Sequence, residues 1–221
     1  MIVAICGADG CGKTTVAEAV AKALDCEVIA FPNDAAFTGP AIRAYLRREW
    51  SVRLPGGTTG DYAETHTGAL AFQALQIANR MELMPRLRRA KEHGYNLVLA
   101  RYWQSAWVYG QLDGLPAEWL EWVHSEMVQP HVSILLDAPA EECMRRRAAR
   151  DGTSAPERYE GKLDFTRRVV ELYRALWAKD PGAAWRVVDA TQSFANVVAD
   201  AVEACGLAEA LGVGAQKRGV R

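Results

Sequence analysis

Several features are scarce or missing in these 221 residues, and each absence removes a class of function. No excess of charge exists: 26 Lys plus Arg against 27 Asp plus Glu leave a net charge of -1. No global field therefore draws the chain to DNA or to a membrane, and any contact with a polyanion has to be local. Paired cysteines are missing. Cys6, Cys11, Cys26, Cys143 and Cys205 are odd in number and lack metal-ligand spacing, which argues against a disulfide scaffold and for reduced thiols in the cytoplasm. No apolar run approaches the roughly 20 residues that cross a bilayer, and no basic segment precedes an apolar one at the start. A soluble, unprocessed chain without membrane contact is expected. Internal repeats are missing as well.

What is present is concentrated at the amino-terminal end. The apolar run Ile2-Val3-Ala4-Ile5-Cys6 leads into Gly7-Ala8-Asp9-Gly10-Cys11-Gly12-Lys13-Thr14-Thr15, and the alanine-rich stretch from Val16 to Leu24 follows. A buried strand, a glycine loop and a helix in that order make a complete P-loop. The glycines let successive N–H groups turn toward phosphate oxygens, and the helix N-terminus adds partial positive charge. Lys13 then bridges the terminal phosphates while the Thr14 hydroxyl holds magnesium. A glycine turn that merely fed a core helix would not require Lys13 and Thr14 at those positions. ATP and Mg2+ are the expected cofactors, bound by residues 7–15.

Beyond the P-loop, apolar runs alternate with helical stretches. Cys26 to Phe31 reads as a second strand, stopped by Pro32 with Asn33 and Asp34. Ala41 to Trp50 reads as a helix with Arg43, Arg47 and Arg48 on one face and Arg53 just beyond, although most such faces are merely solvated. Leu54 to Gly60 reads as a flexible loop, and Ala63 to His93 as one long helix closed by Gly94. The strand Asn96 to Ala100 delivers Arg101 and Tyr102 to its carboxyl end, where ligands of open α/β sheets bind. Trp103, Trp107, Trp119 and Trp122 follow as core anchors rather than stacking platforms.

Val132 to Asp137 and Trp185 to Asp189 complete five strands. Between them, a helix carrying Arg145, Arg146, Arg147 and Arg150 breaks at the loop Asp151 to Pro156 and resumes from about Gly161 to Lys179. A helix from Phe194 to Cys205 closes the chain, with a frayed tail over 207–221. The expected fold is α/β: one domain over 1–221, a five-stranded parallel sheet covered by helices on both faces, and a small helical lid at about 145–160. Phosphoryl transfer needs positive charge around the moving group and exclusion of water, and a closing arginine lid supplies both. Arg146 and Arg150 are the catalytic candidates there, which points to a small P-loop kinase.

Six segments in register carry a more specific resemblance. Phe31-Pro32, Ala78-Asn79-Arg80-Met81-Glu82, Arg101-Tyr102, Glu157-Arg158-Tyr159-Glu160 and Val188-Asp189-Ala190-Thr191 join the P-loop in resembling the thymidylate kinase family over nearly the whole length. The resemblance implies that Arg80 reaches a pyrimidine carbonyl, with Phe31 and Tyr102 on the substrate side. It implies that Arg101 clamps the acceptor or transferred phosphate, Tyr159 packs by the sugar, and Asp189 and Thr191 lie beside adenine. Asp9 would face the sugar or the magnesium shell. It also implies a homodimer formed through the long helix. Gly10 resembles family members that draw their catalytic arginine from the lid.

Three departures fall on the acceptor side. Asp34 stands where the family has an arginine for the acceptor's monophosphate, Ala100 where it has an acidic residue, and Gln76 where a ring stacks on thymine. An anion facing a phosphate in a partly dry site repels it. Asp34 is therefore expected to act as a catalytic base toward a hydroxyl acceptor. The pattern is similar to a viral branch of the family that phosphorylates 5-hydroxymethyluracil within DNA, acting in the host cytoplasm. Arg43, Arg47, Arg48 and Arg53 would then track the DNA backbone. The alternatives are conversion of dTMP to dTDP, a nucleoside kinase, and a nucleotide-binding regulatory protein without turnover.

Overall fold

The computed structural model describes residues 1–53, 59–61, 65–151, 159, 162–179 and 184–210. In chain order they form β1 (Ile2–Cys6), α1 (Lys13–Ala23), β2 (Glu27–Ala30), α2 (Gly39–Leu46), β3 (Ser51–Arg53) and β4 (Thr59–Asp61). Then come α3 (His66–Met81), α4 (Met84–His93), β5 (Leu97–Ala100), α5 (Trp103–Leu112), α6 (Ala117–His124) and β6 (Val132–Asp137). The last elements are α7 (Ala140–Asp151), α8 (Leu163–Lys179), β7 (Trp185–Asp189) and α9 (Phe194–Ala210).

Five strands pair in parallel in the order β2-β5-β1-β6-β7. Ile5 of β1 stands opposite Ala100 of β5 on one side and Ile134 of β6 on the other. The five residues of β1 are all buried, the pattern of a strand covered on both faces. Side chains alternate across it. Val3 and Ile5 enter one apolar cluster with Val16, Val20, Trp107 and Tyr173, while Ile2 and Ala4 enter a second with Ile29, Phe31, Leu87, Leu99 and Tyr102. From β1 the chain leaves toward β2 on one edge and later continues through β6 to β7 on the other. The connections diverge on either side of β1, which puts a crevice at the carboxyl end of that strand, the usual ligand position in such sheets.

Four expectations are corrected. The stretch Ala63 to His93 is two helices, because α3 ends at Met81 and α4 restarts at Met84 with Pro85 in its first turn. Proline lacks the N–H a continuing helix needs there but suits a new first turn. The arginine helix stops at Leu46, and Arg48 adopts a left-handed backbone at φ 61°, so Arg43, Arg47 and Arg48 share no helical face. Thr59 and Gly60, read as loop, pair with β3 in an antiparallel hairpin. Finally, α9 runs through Gly206 to Ala210 rather than ending at Cys205. Residues 54–58 of the expected loop, 152–158 and 160 of the lid and the tail 211–221 lie outside the described residues. Of the tryptophans, Trp107 is a core anchor and Trp122 is 73% exposed. No helix among the described residues is long and apolar enough to cross a membrane.

Candidate active site

The loop after β1 has little freedom to be anything but glycine at two points. Gly7 and Gly10 have φ of 141° and 92°, which L side chains rarely adopt. A Cβ on Gly10 would also overlap the carbonyl oxygen of Cys143 in α7, and one on Gly7 would meet that of Leu136. The loop is pressed between backbones; Ala8 and Cys11 are buried in the first apolar cluster, and Asp9 is the loop side chain that lines the crevice. Lys13 is buried, with Nζ donating to the Ala8 carbonyl at 2.5 Å and to Asp9 Oδ1 at 3.3 Å. Thr14 and Thr15 are exposed in the first turn of α1.

Asp9 is the centre of charge. Its Oδ1 also pairs with Arg101 at 2.5 Å, and its Oδ2 accepts from the Tyr109 hydroxyl at 3.2 Å. Burial alone would raise the Asp9 carboxyl, but the adjacent Arg101 and Lys13 outweigh it and hold the group well below the usual carboxylate range. Arg101 is raised in turn: burial opposes its charge, and the Asp9 carboxylate more than restores it. Arg101 follows the last residue of β5 with φ 63°, a conformation unfavourable for a side chain with a Cβ and typical of functional positions. Its N–H donates to the Ile5 carbonyl of β1 at 3.0 Å, so sheet pairing and the Asp9 contact hold it there.

A cavity of about 470 Å³ opens from this centre. Asp9, Thr14, Arg101 and Tyr109 line one end, and Phe31, Gln76 and Arg80 line the other. Arg80 is buried, its guanidinium 5.6 Å from the centre of the Phe31 ring. It donates to the Gln76 carbonyl at 2.6 Å, to Gln76 Oε1 at 2.9 Å and to the Tyr102 carbonyl at 3.1 Å. Burial pushes Arg80 down to about 10, so it remains a cation near neutral pH. Its Nε has no partner among the described residues. Tyr159 closes the wall, with its hydroxyl on Asp113 at 2.5 Å and its ring 5.0 Å from that of Tyr109.

Comparison with known proteins gives the family. The thymidylate kinase family model matches residues 5–201. A probable thymidylate kinase of Pyrobaculum calidifontis is 34% identical over 203 residues, covering 91% of this chain and 94% of its own. A thymidylate kinase of Thermomicrobium roseum is 37% identical over 166 residues, covering 68% and 76% respectively. The chain belongs to the thymidylate kinase family. The structure of thymidylate kinase from Candida albicans superposes with a TM-score of 0.71 at 22% identity, covering 96% of this chain and 92% of that one, which shows the shared fold.

As a thymidylate kinase family member the chain is an ATP-dependent phosphotransferase. The structure brings Asp9, Thr14, Phe31, Gln76, Arg80, Arg101 and Tyr159 to one cavity. Tyr102 is a correction: its ring is buried among core residues, its hydroxyl meets Met84 Sδ at 3.8 Å, and only its carbonyl serves the site by holding Arg80. Asp34 is another. It lines the cavity, but both of its carboxylate oxygens accept from Arg43, at 2.6 and 2.9 Å, so it is not a free base. Arg47 is held by Glu49, so two of the four arginines expected to track DNA already have carboxylate partners.

Arg146 and Arg150 lie on α7, which packs against the P-loop at Cys143, and are not among the residues lining the cavity; Arg146 donates to Glu142 at 2.6 Å. Glu157, Arg158 and Glu160 lie outside the described residues. Asp189 folds back on Thr191, accepting from its N–H at 2.8 Å and its hydroxyl at 2.6 Å. That turn ends β7, two strands from the P-loop and outside the cavity. Sequence reasoning missed Tyr109. The spacing of Ser105, Ala106 and Tyr109, all on the cavity wall, is a helical face that could have identified it.

Proposed function

We propose that this protein transfers the γ-phosphoryl group of ATP to the 5′-phosphate of dTMP, forming dTDP and ADP. The observation that carries the reading is one cavity that gathers Thr14 and Arg101 by the P-loop with the buried cation Arg80 beside Phe31. Its volume suits a nucleotide-sized ligand. The relatives described above bear the name thymidylate kinase, which supports a monophosphate acceptor over a hydroxyl one. Asp34, engaged by Arg43 through both oxygens, lends no support to a base acting on a hydroxyl.

The residues fit ATP with magnesium. Lys13 is a buried cation held by a carbonyl and a carboxylate, both of which the β- and γ-phosphates can replace. Among the described residues no three His, Cys, Asp or Glu side chains converge on a metal position. This suits Mg2+, which arrives with phosphates and needs one or two protein ligands. The Thr14 hydroxyl is the direct candidate, since Asp9 has both oxygens engaged. Bound Mg2+ neutralises phosphate charge.

The chain's own residues do the rest. Loop N–H groups and Lys13 orient the donor. Arg101, fixed by Asp9, stands where acceptor and donor phosphates meet and neutralises charge as it builds. Arg80 and Phe31 hold the base, so that the acceptor oxygen is presented in line. Labelled ATP offered with dTMP, thymidine, 5-hydroxymethyl-deoxyuridine and DNA containing 5-hydroxymethyluracil tests the reading. Label in dTMP supports it; label only in the modified DNA or in a nucleoside overturns it.

A further inference from the structure

Asp34 and Arg43 form an ion pair whose two members both line the cavity. Other cavity cations are engaged differently. Arg101 is held by Asp9, Arg86 by Glu27, and Arg80 by carbonyl and amide oxygens at the base end. In the Arg43 pair the anion is 61% exposed and the cation 35%, so water screens their attraction and the contact is weak. Arg43 spends Nε and one NH2 hydrogen on Asp34. Three of its five N–H donors are left for a second anion.

The segment that carries this pair is rigidly built. Asn79 of α3, fully buried, accepts from the Asn33 N–H at 2.7 Å and donates to the Asn33 carbonyl and the Thr38 hydroxyl at 3.0 Å each. One turn on, Glu82 accepts from the Phe37 N–H at 2.6 Å, the Thr38 N–H at 3.2 Å and the Thr38 hydroxyl at 2.7 Å. Gly39, at the start of α2, is packed so closely on Asn33 and Asp34 that a Cβ would sit 2.7 and 2.6 Å from their carbonyl oxygens. Arg43 is thus fixed relative to Arg80, which lies on the same helix as Asn79. Positioning of this kind, far stronger than the exposed ion pair itself, is what a ligand-reading group requires.

We infer that Arg43 selects a phosphorylated acceptor and that Asp34 is an internal anion which occupies Arg43 until that phosphate replaces it. The inference rests on the monophosphate reading above. A phosphate dianion competes with the carboxylate for the guanidinium, whereas a nucleoside hydroxyl brings no charge and leaves the pair closed. Asp34 therefore weakens phosphate binding without being able to abolish it.

The test compares dTMP with thymidine, which differ only in the phosphate, by equilibrium binding and by turnover on the full chain. Arg43→Gln should weaken dTMP binding at least tenfold and change thymidine binding less than twofold. Asp34→Asn should tighten dTMP binding about threefold to fivefold, and that gain should vanish when Arg43→Gln is also present. A dTMP to thymidine ratio within twofold of wild type in Arg43→Gln overturns the inference, as does an Asp34→Asn effect that persists without Arg43. Both side chains are at the surface, and circular dichroism confirms that the variants fold. If wild type turns over dTMP while the ratio is unmoved, only Arg43's role fails; if wild type does not use dTMP at all, the functional reading fails and this inference with it.

Discussion

Replacing Asp9 by Asn removes one negative charge from between two cations. Lys13, 3% exposed, and Arg101, 31% exposed, both contact Asp9 Oδ1, at 3.3 and 2.5 Å. Removing one partner of a fully buried pair costs about 3–5 kcal/mol. Partial exposure of Arg101 screens part of this, so about 2–3 kcal/mol is expected. For a chain of this size that corresponds to a fall in Tm of about 5–10 °C. The Asp9 carboxyl is held below its unfolded value, so its contribution is present above the unfolded pKa of about 3.9 and is lost only as pH falls through the depressed folded value. The deficit should therefore be flat from pH 5 to 8. Bound ATP supplies new anions to Lys13 and Arg101, and the deficit should shrink by more than half. Differential scanning fluorimetry of both proteins, with and without Mg-ATP, measures it. An equal deficit in both conditions would refute the idea that Asp9 stands in for phosphate charge.

Lys13→Ala should lower kcat by at least a hundredfold with the fold retained, as single-turnover assays and circular dichroism would show; wild-type rates would remove the P-loop from the chemistry. Asn79→Ala, which frees the 33–38 segment, should raise KM for dTMP several-fold and leave KM for ATP within twofold, and equal changes in both would mean a general loss of structure. His124 is buried with Nδ1 2.6 Å from the Leu120 carbonyl; burial, and then the charge of Arg80, push it down to about 4. Between pH 4 and about 6.5 the unfolded chain binds a proton that the folded chain refuses, so stability falls as pH drops through that window, on the order of 3 kcal/mol in total. His124→Gln should remove most of that slope in urea unfolding, and an unchanged slope would place the titration elsewhere.

The P-loop was legible because its chemistry sits in consecutive residues, Arg101 because an apolar strand runs straight into it, and Arg80 only through the resemblance of its surrounding segment to a known family. The contacts that depend on packing between elements were not. Asp34 reads as a lone carboxylate until α2 folds back to set Arg43 beside it, nine residues later. Tyr109 meets Asp9 across 100 positions of sequence. The break between α3 and α4 was visible in Pro85, but good helix formers on both sides hid it. The arginine cluster before Trp50 was misread because residue spacing cannot show that Arg48 leaves the right-handed helix.

The contact between Gly10 and the Cys143 carbonyl bears on how such proteins can diverge. With α7 seated against the loop, position 10 has no volume for any side chain, so among the described residues the cations at this end of the cavity are Lys13 after the loop and Arg101 after β5. A further cation at position 10 itself would demand a prior retreat of the α7 backbone, so this one position cannot change by a substitution alone.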